Sequence, residues 1–316
     1  MTTPSWRQRL ARFAELRILA VVAAFWLALW VYDRNFVSPD TITTVLKFLF
    51  GYAIMACGMT VLLVSGGFDL SVGSVSALSA MVAAVLMKDA GWPWVPAALA
   101  GLGTGALAGV VNGLIVARLG INPFITTLGM MLLARGLTHI VSGGSGRAGF
   151  SEAFCWMGQG KLAGLQVPIL VSLGLVALFD LLLRKHRFFR QNYYLGGNEQ
   201  AAWLSGIATD RLKLFNYALS GALAALAGIL FCARLDSAQP NAGEGDELKV
   251  ITAVIVGGAS LTGGKGTVLG AFLGCVLLAT IQPAISFLGI GVHWEKAVLG
   301  LILLAAVLLD RIGRRG

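Results

Sequence analysis

Charged positions along this chain are bunched between long uncharged runs, at 48–68, 70–87, 90–117, 162–179, 214–233 and 266–294. A helix needs about 20 apolar residues to cross a bilayer, and these runs lie near or above that length. A further apolar run at 18–32 follows the basic head WRQRLARFAELR. No small-residue cleavage site follows it convincingly, so it reads as an uncleaved span. The pattern predicts about ten spanning helices, near 18–32, 44–65, 72–87, 93–117, 121–141, 167–183, 212–232, 250–263, 267–289 and 292–310. Segments beside two glycine-rich loops either cross fully or re-enter. The expected fold is an all-α integral membrane protein, one polytopic domain over 1–316 with a basic head at 1–17 and membrane lipid around it.

Composition agrees. The 316 residues are 57% hydrophobic and 12% charged, whereas a soluble domain carries about 25% charged residues. A formal charge of +9 would suggest nucleic acid in a soluble domain. In a membrane chain the positive-inside rule explains it, and no nucleic-acid partner is expected. With ten crossings, fifteen lysines and arginines gather on one side, Arg184, Lys185, Arg187, Arg190, Arg211 and Lys213 among them. Seven, from Arg34 to Lys249, fall on the other, which places both termini in the cytoplasm. Cys57, Cys155, Cys232 and Cys275 lie far apart with no metal or redox spacing. His139, His186 and His293 have no nucleophile or metal arrangement near them. No paired carboxylates, HExxH or serine–lysine dyad points to an enzyme, and no cofactor or metal is expected.

Residues 257–267, GGASLTGGKGT, look like a phosphate loop. That loop needs G-x-x-x-x-G-K-S/T. Aligned on Gly264 and Lys265, its first glycine falls on Ala259 and its hydroxyl position on Gly266. The stretch also lies between apolar spans, and no soluble segment is long enough for a nucleotide-binding domain. The chain does not bind ATP by itself.

The stretch does resemble another part of the chain. Gly66, Gly67, Asp69 and Ser71 of GGFDLSVG align with Gly257, Gly258, Ser260 and Thr262 of GGASLTGG, each block between apolar runs. Paired glycine interruptions point to broken helices along a transport path, because glycine permits unwound backbone and hydroxyls satisfy freed polar groups. The alternative is glycine used for close helix packing. Only one copy carries a charge, Asp69. Either it caps the helix starting near Leu70 or it lines the path, and both can hold. Arg135, in LLARGLTHI, is the other buried-looking charge and a candidate partner for it; Lys296 also falls within a span.

The loop at 184–211 carries more information. Gly196 and Gly197 break the chain, Asn198 is a good N-cap, and Glu199 sits in the first turn where the helix dipole favours an anion. Ala201, Ala202, Trp203 and Leu204 continue a helix through Ser205 that Gly206 ends. Its apolar, small-residue content suits docking into a partner's groove. A helix lying on the membrane surface, anchored by Trp203, is the competing reading.

Four blocks in order, GGFDLSVGS, GGNEQAAWLSGI, ARLDSAQPNAGEGDEL and GGASLTGGKGTVLGAFLG, resemble the permease subunit of ribose-type ABC sugar importers, from about residue 36 to the C-terminus. That resemblance implies a permease dimer in the bacterial inner membrane, a cytoplasmic ATPase subunit and a periplasmic sugar-binding protein. The family's coupling helix carries over to Asn198, Glu199, Ala201, Ala202, Ser205 and Gly206, with Gly197 ahead of it. Monosaccharide import is the function it implies. A related permease for branched-chain amino acids or a signalling furanose, or a self-sufficient secondary transporter, are the alternatives. Asn112, Asn122, Gln239, Asn241 and Gln282 are candidate polar groups along the path.

Overall fold

The computed structural model describes residues 6–291 and 293–312, and the side chains of 15–291 and 293–308. Residues 1–5 of the basic head, the side chains of Arg7, Arg9 and Arg12, and residues 313–316 lie outside that description. The helices are α1 (Trp6–Tyr32), α2 (Pro39–Val64), α3 (Val72–Lys88), α4 (Trp94–Arg118), α5 (Pro123–Ser142), α6 (Glu152–Gln159) and α7 (Val167–Lys185). They continue as α8 (Arg187–Gly197), α9 (Glu199–Leu204), α10 (Thr209–Leu235), α11 (Asp246–Val256), α12 (Val268–Phe287) and α13 (Trp294–Ile312). A short 3-10 helix (Arg34–Val37) and, among the described residues, four two-residue strands accompany them: β1 (Arg147–Ala148), β2 (Lys161–Leu162), β3 (Leu165–Gln166) and β4 (Ser237–Ala238).

Local signals set most helix starts. The Ser38 hydroxyl accepts from the Thr41 amide and Pro39 occupies the first turn of α2, where its missing N–H costs nothing. Asn122 with Pro123 does the same for α5, and the Thr267 hydroxyl accepts from the Gly270 amide to open α12. Among the described residues, α1, α2, α4, α5, α7, α10 and α12 are long and apolar enough to cross a membrane. The apolar α3 has 17 residues and α11 only 11.

The expected span at 250–263 is corrected by this geometry. At 1.5 Å per residue α11 rises only about 16 Å, roughly half a hydrocarbon core. It stops at Val256, and the chain continues as irregular backbone to Thr267, with Gly258 at φ 97°. Irregular backbone also separates α2 from α3 over 66–71. Both glycine blocks therefore interrupt helices. A second correction concerns Gly196 and Gly197: they close α8 as its last residues, and the break falls on Asn198 at φ −164° and ψ 107°.

Close approach of small residues holds the bundle together. In α4, Gly101, Gly105, Gly109 and Gly113 recur every fourth residue; Gly101 abuts the Ser79 carbonyl of α3 and the other three face α10, where a Cβ on Gly109 would lie 2.2 Å from the Tyr217 carbonyl oxygen. Lipid tails are as apolar as any side chain, so tight backbone approach drives this kind of packing. At the end of the bundle where α3 finishes and α11 begins, the expected outer loops form a small cap. β1 pairs antiparallel with β4, β2 with β3, and the Phe150 amide donates to the Asp236 carboxylate at 2.7 Å. Arg147 bridges to Asp89 at 2.8 Å, and that bond holds the Asp89 carboxyl below its usual range.

Candidate functional site

The helix α9 is built as its sequence requires. The Asn198 side chain accepts from the Ala201 amide at 2.9 Å, and the Asn198 carbonyl accepts from the Ala202 amide at 3.0 Å. Ala202 is the buried contact that seats the helix, while Trp203 and Leu204 stand 64% and 73% exposed. Glu199 pairs with Lys213 at 2.5 Å but remains half exposed, so the pair contributes little to stability. At the far end the Ser205 hydroxyl donates to the Ala201 carbonyl at 2.8 Å. Gly206 then takes φ 83°, a conformation that favours glycine.

Immediately before α9 the chain is wedged against both glycine loops. The Gly264 amide donates to the Val64 carbonyl at 2.9 Å, joining the end of α2 to the loop between α11 and α12. Gly196 fills the space beside that bond: a Cβ there would sit 2.0 Å from the Val64 oxygen and 2.6 Å from the Gly264 nitrogen. Gly66 also faces Gly196, and Gly263 lies against the Gly196 carbonyl. One helical turn earlier, the Tyr193 hydroxyl donates to the Gly266 carbonyl at 2.8 Å. Burial pushes that phenol up to about 12, so it stays a donor at neutral pH. Three stretches distant in sequence thus meet, and at Gly196 they meet through backbone alone.

Asp69 lies deeper. Its carboxylate accepts from the Ser71 amide at 2.8 Å, the Ser71 hydroxyl at 2.5 Å and the Ser220 hydroxyl of α10 at 3.2 Å. The Asn112 amide of α4 donates to the Ser71 hydroxyl at 3.1 Å. α3 begins at Val72, where the expected span 72–87 starts and two residues past the start near Leu70 that capping by Asp69 assumed, and Ser71 occupies its N-cap position. Asp69 therefore organises the turn ahead of the helix and ties it to α10. Arg135 is not its partner; that guanidinium donates to the carbonyls of Pro240 and Ala242 at 2.7 and 2.8 Å. In the other block, the Ser260 amide donates to the Lys265 carbonyl, closing the loop, and Gly257 abuts the Gly270 carbonyl.

Between α2, α3, α10 and α11 opens a cavity of about 300 Å³. Phe48, Tyr52 and Phe231 supply aromatic wall, and Gln239, Asp246, Lys249, Gln282 and Glu295 polar wall. The Lys249 ammonium donates to the Tyr52 hydroxyl at 3.2 Å and pairs with Glu295 at 2.7 Å. Of the polar groups expected along the path, Gln239 and Gln282 line this cavity, while Asn112 bonds Ser71 and Asn122 caps α5. Gly66, Gly67, Asp69, Ser71, Gly257, Gly258 and Ser260 do not line it. The sequence offers no pointer to Tyr52, Tyr193 or Lys249, whereas Arg135 stands out in it as a buried-looking charge.

Residues 41–307 match the family described as the branched-chain amino acid transport system / permease component. The chain is 39% identical over 314 residues to the ribose import permease protein of Escherichia coli K12, covering 98% of this chain and 95% of that one. It is 39% identical over 294 residues to the L-arabinose transport system permease protein of the same organism, covering 93% and 89%. The D-allose transport system permease protein of Escherichia coli K12 is 33% identical over 301 residues, covering 95% and 92%. The likeness extends ahead of the four motif blocks into the first helix. An all-α membrane chain with broken helices, matched over this length, belongs to the bacterial transport-system permease family, in its ribose-type branch.

Proposed function

We propose that this chain is the permease subunit of an ATP-driven monosaccharide importer in the bacterial inner membrane. A separate cytoplasmic subunit hydrolyses ATP, a periplasmic binding protein delivers the sugar, and the permease works as a dimer. The relatives named for ribose, L-arabinose and D-allose support the substrate class. In this reading α9 is the coupling helix. Its exposed Trp203 and Leu204 enter a groove on the ATPase, with Gly197, Asn198, Glu199, Ala201, Ala202, Ser205 and Gly206 shaping the peg.

The observation that carries the reading is the contact of Gly196 with both Val64 and Gly264. Close-packed backbone transmits displacement rather than absorbing it. When ATP draws two ATPase domains together, α9 moves with them, and Gly196 shifts the ends of α2 and the loop before α12. Gly66, Gly67, Gly257 and Gly258 give those breaks the freedom to follow, and the Asp69–Ser71–Ser220 bonds carry the shift to α10. Access then alternates between the two faces.

Reconstitution tests this. Proteoliposomes holding the permease, its cognate ATPase and its binding protein should accumulate labelled D-ribose, L-arabinose or D-allose only with ATP. Uptake by the permease alone, driven by a sugar or proton gradient, would establish a secondary transporter instead. Uptake of leucine but none of the three sugars would assign another solute class.

A further inference from the structure

The cavity of about 300 Å³ lies within a single chain, at the lower end of the size range of small-molecule sites. Tyr52 lies twelve residues before Val64 in α2, roughly 18 Å from the end that meets Gly196. Charged groups at such depth are costly and persist only when paired or facing water. Lys249 and Glu295 are paired to each other, Tyr52 is bonded to both Lys249 and Asp246, and the Gln239 amide donates to the Ser237 hydroxyl at 2.8 Å; the remaining hydrogen-bonding capacity of Asp246 and Gln239, with the Gln282 amide, faces the space.

That set matches one ligand chemistry. A carboxylate and two amides offer both acceptors and donors, as a neutral polyhydroxylated molecule requires, and Phe48, Tyr52 and Phe231 offer flat faces to its C–H surface. The wall also has an opening cut into it. Gly51 is buried in the middle of α2, yet a Cβ added there would meet nothing within 4 Å. Glycine in a helix interior costs about 1 kcal/mol relative to alanine, and Gly51 makes no close backbone contact that would justify it. Its role is to leave the cavity empty. Arg135 holds the rim from the side, fixing the carbonyls of Pro240 and Ala242 beside Gln239.

We infer that each permease chain holds a sugar-sized binding site inside its own bundle, walled by Tyr52, Phe231, Gln239, Asp246 and Gln282, so that a dimer carries two. The inference rests on the monosaccharide reading above. The site faces the end of the bundle that carries the β1–β4 cap, where sugar arrives, and lies away from the glycine loops that respond to ATP.

The test fills the cavity without disturbing the fold. Gly51→Leu places a side chain into open space, and Gly51→Ala places one methyl there. Both are assayed in the complete importer with D-ribose, L-arabinose and D-allose, alongside melting temperature and ATP hydrolysis. If the unaltered importer carries none of these sugars, the functional reading fails before the inference is reached. If it carries one, the inference expects Gly51→Leu to cut uptake about tenfold or more and Gly51→Ala to cut it less, with melting and ATP hydrolysis unchanged. Unaltered uptake in a folded Gly51→Leu importer overturns the site. Should Gly51→Leu fail to fold, Gly51→Ala decides alone: reduced uptake supports the site, and full uptake overturns it.

Discussion

Replacing Gly196 by alanine is the sharpest perturbation of the transmission route. Gly196 needs no unusual backbone conformation, so strain in φ plays no part; what it lacks is room. The added methyl would sit 2.0 Å from the Val64 oxygen and 2.6 Å from the Gly264 nitrogen, and backbone neighbours cannot rotate out of the way. Over-packing of this kind costs about 1–3 kcal/mol. Prising apart the Gly264–Val64 hydrogen bond that spans the same gap adds about 1 kcal/mol. Alanine regains about 1 kcal/mol of helix propensity, so the net destabilisation expected is about 1–3 kcal/mol. The next residue supplies the control, because a Cβ on Gly197 meets nothing within 4 Å. Gly197→Ala should melt no lower than the unaltered permease, since it gains helix propensity without a clash. The assay pairs thermal melting with sugar moved per ATP hydrolysed in the reconstituted importer. Gly196→Ala should melt lower and move several-fold less sugar per ATP, because the loops are pushed away from α8. If it matched Gly197→Ala in both measurements, backbone contact at Gly196 would have no part in coupling.

Asp69→Ala strips the acceptor from the Ser71 amide and from the Ser220 hydroxyl in a buried place, costing about 1–3 kcal/mol for each group left unpaired. Asp69→Asn keeps one acceptor oxygen, so it should melt between the alanine variant and the unaltered chain; equal melting of all three would remove Asp69 from the packing of α3 on α10. Asn198→Ala removes the cap of a six-residue helix, worth about 0.5–2 kcal/mol locally. The bundle does not depend on α9, so global melting should hold while transport per ATP falls, and a normal ratio would contradict the coupling role. Asp89→Asn tests the cap at the other end. The Asp89 carboxyl is held below its ordinary value by Arg147. Its contribution is therefore present above the ordinary value near pH 4 and lost as pH falls through the depressed one. Unaltered and Asp89→Asn chains should differ slightly in melting at pH 6 and converge on acidification; a gap that widened in acid would reverse the sign.

What the sequence made legible followed from locality. Span positions came from uncharged runs, and α9 came from an N-cap, a first-turn carboxylate and a terminal glycine lying within nine residues, 198–206. Each of those acts on its immediate neighbours, so each can be read in order. The meeting of Val64, Gly196 and Gly264 could not, because backbone contact leaves no side-chain signature beyond the glycine that permits it. Gly196 was visible as a breaker, whereas its use is as a gap for a neighbouring strand of backbone. The cavity was hidden for a related reason: Tyr52 and Lys249 are 197 residues apart, and neither looks unusual among its own neighbours. α11 was overextended because Thr252 through Val256 run without charge into the glycine loop, and hydropathy does not mark where such a run ceases to be helical.

The central claim is that α9 is gripped by an ATPase in the cytoplasm, and one cysteine tests it directly. Leu204 is 73% exposed, while Cys57, Cys232 and Cys275 are buried and Cys155 lies near the opposite end in α6. In membranes containing the permease without its ATPase, Leu204→Cys should react with a membrane-impermeant maleimide only from the cytoplasmic face, and in the complete importer a short thiol cross-linker should join it to the ATPase. Labelling from the periplasmic face, or no cross-link to the ATPase in an importer that transports normally, would contradict the account.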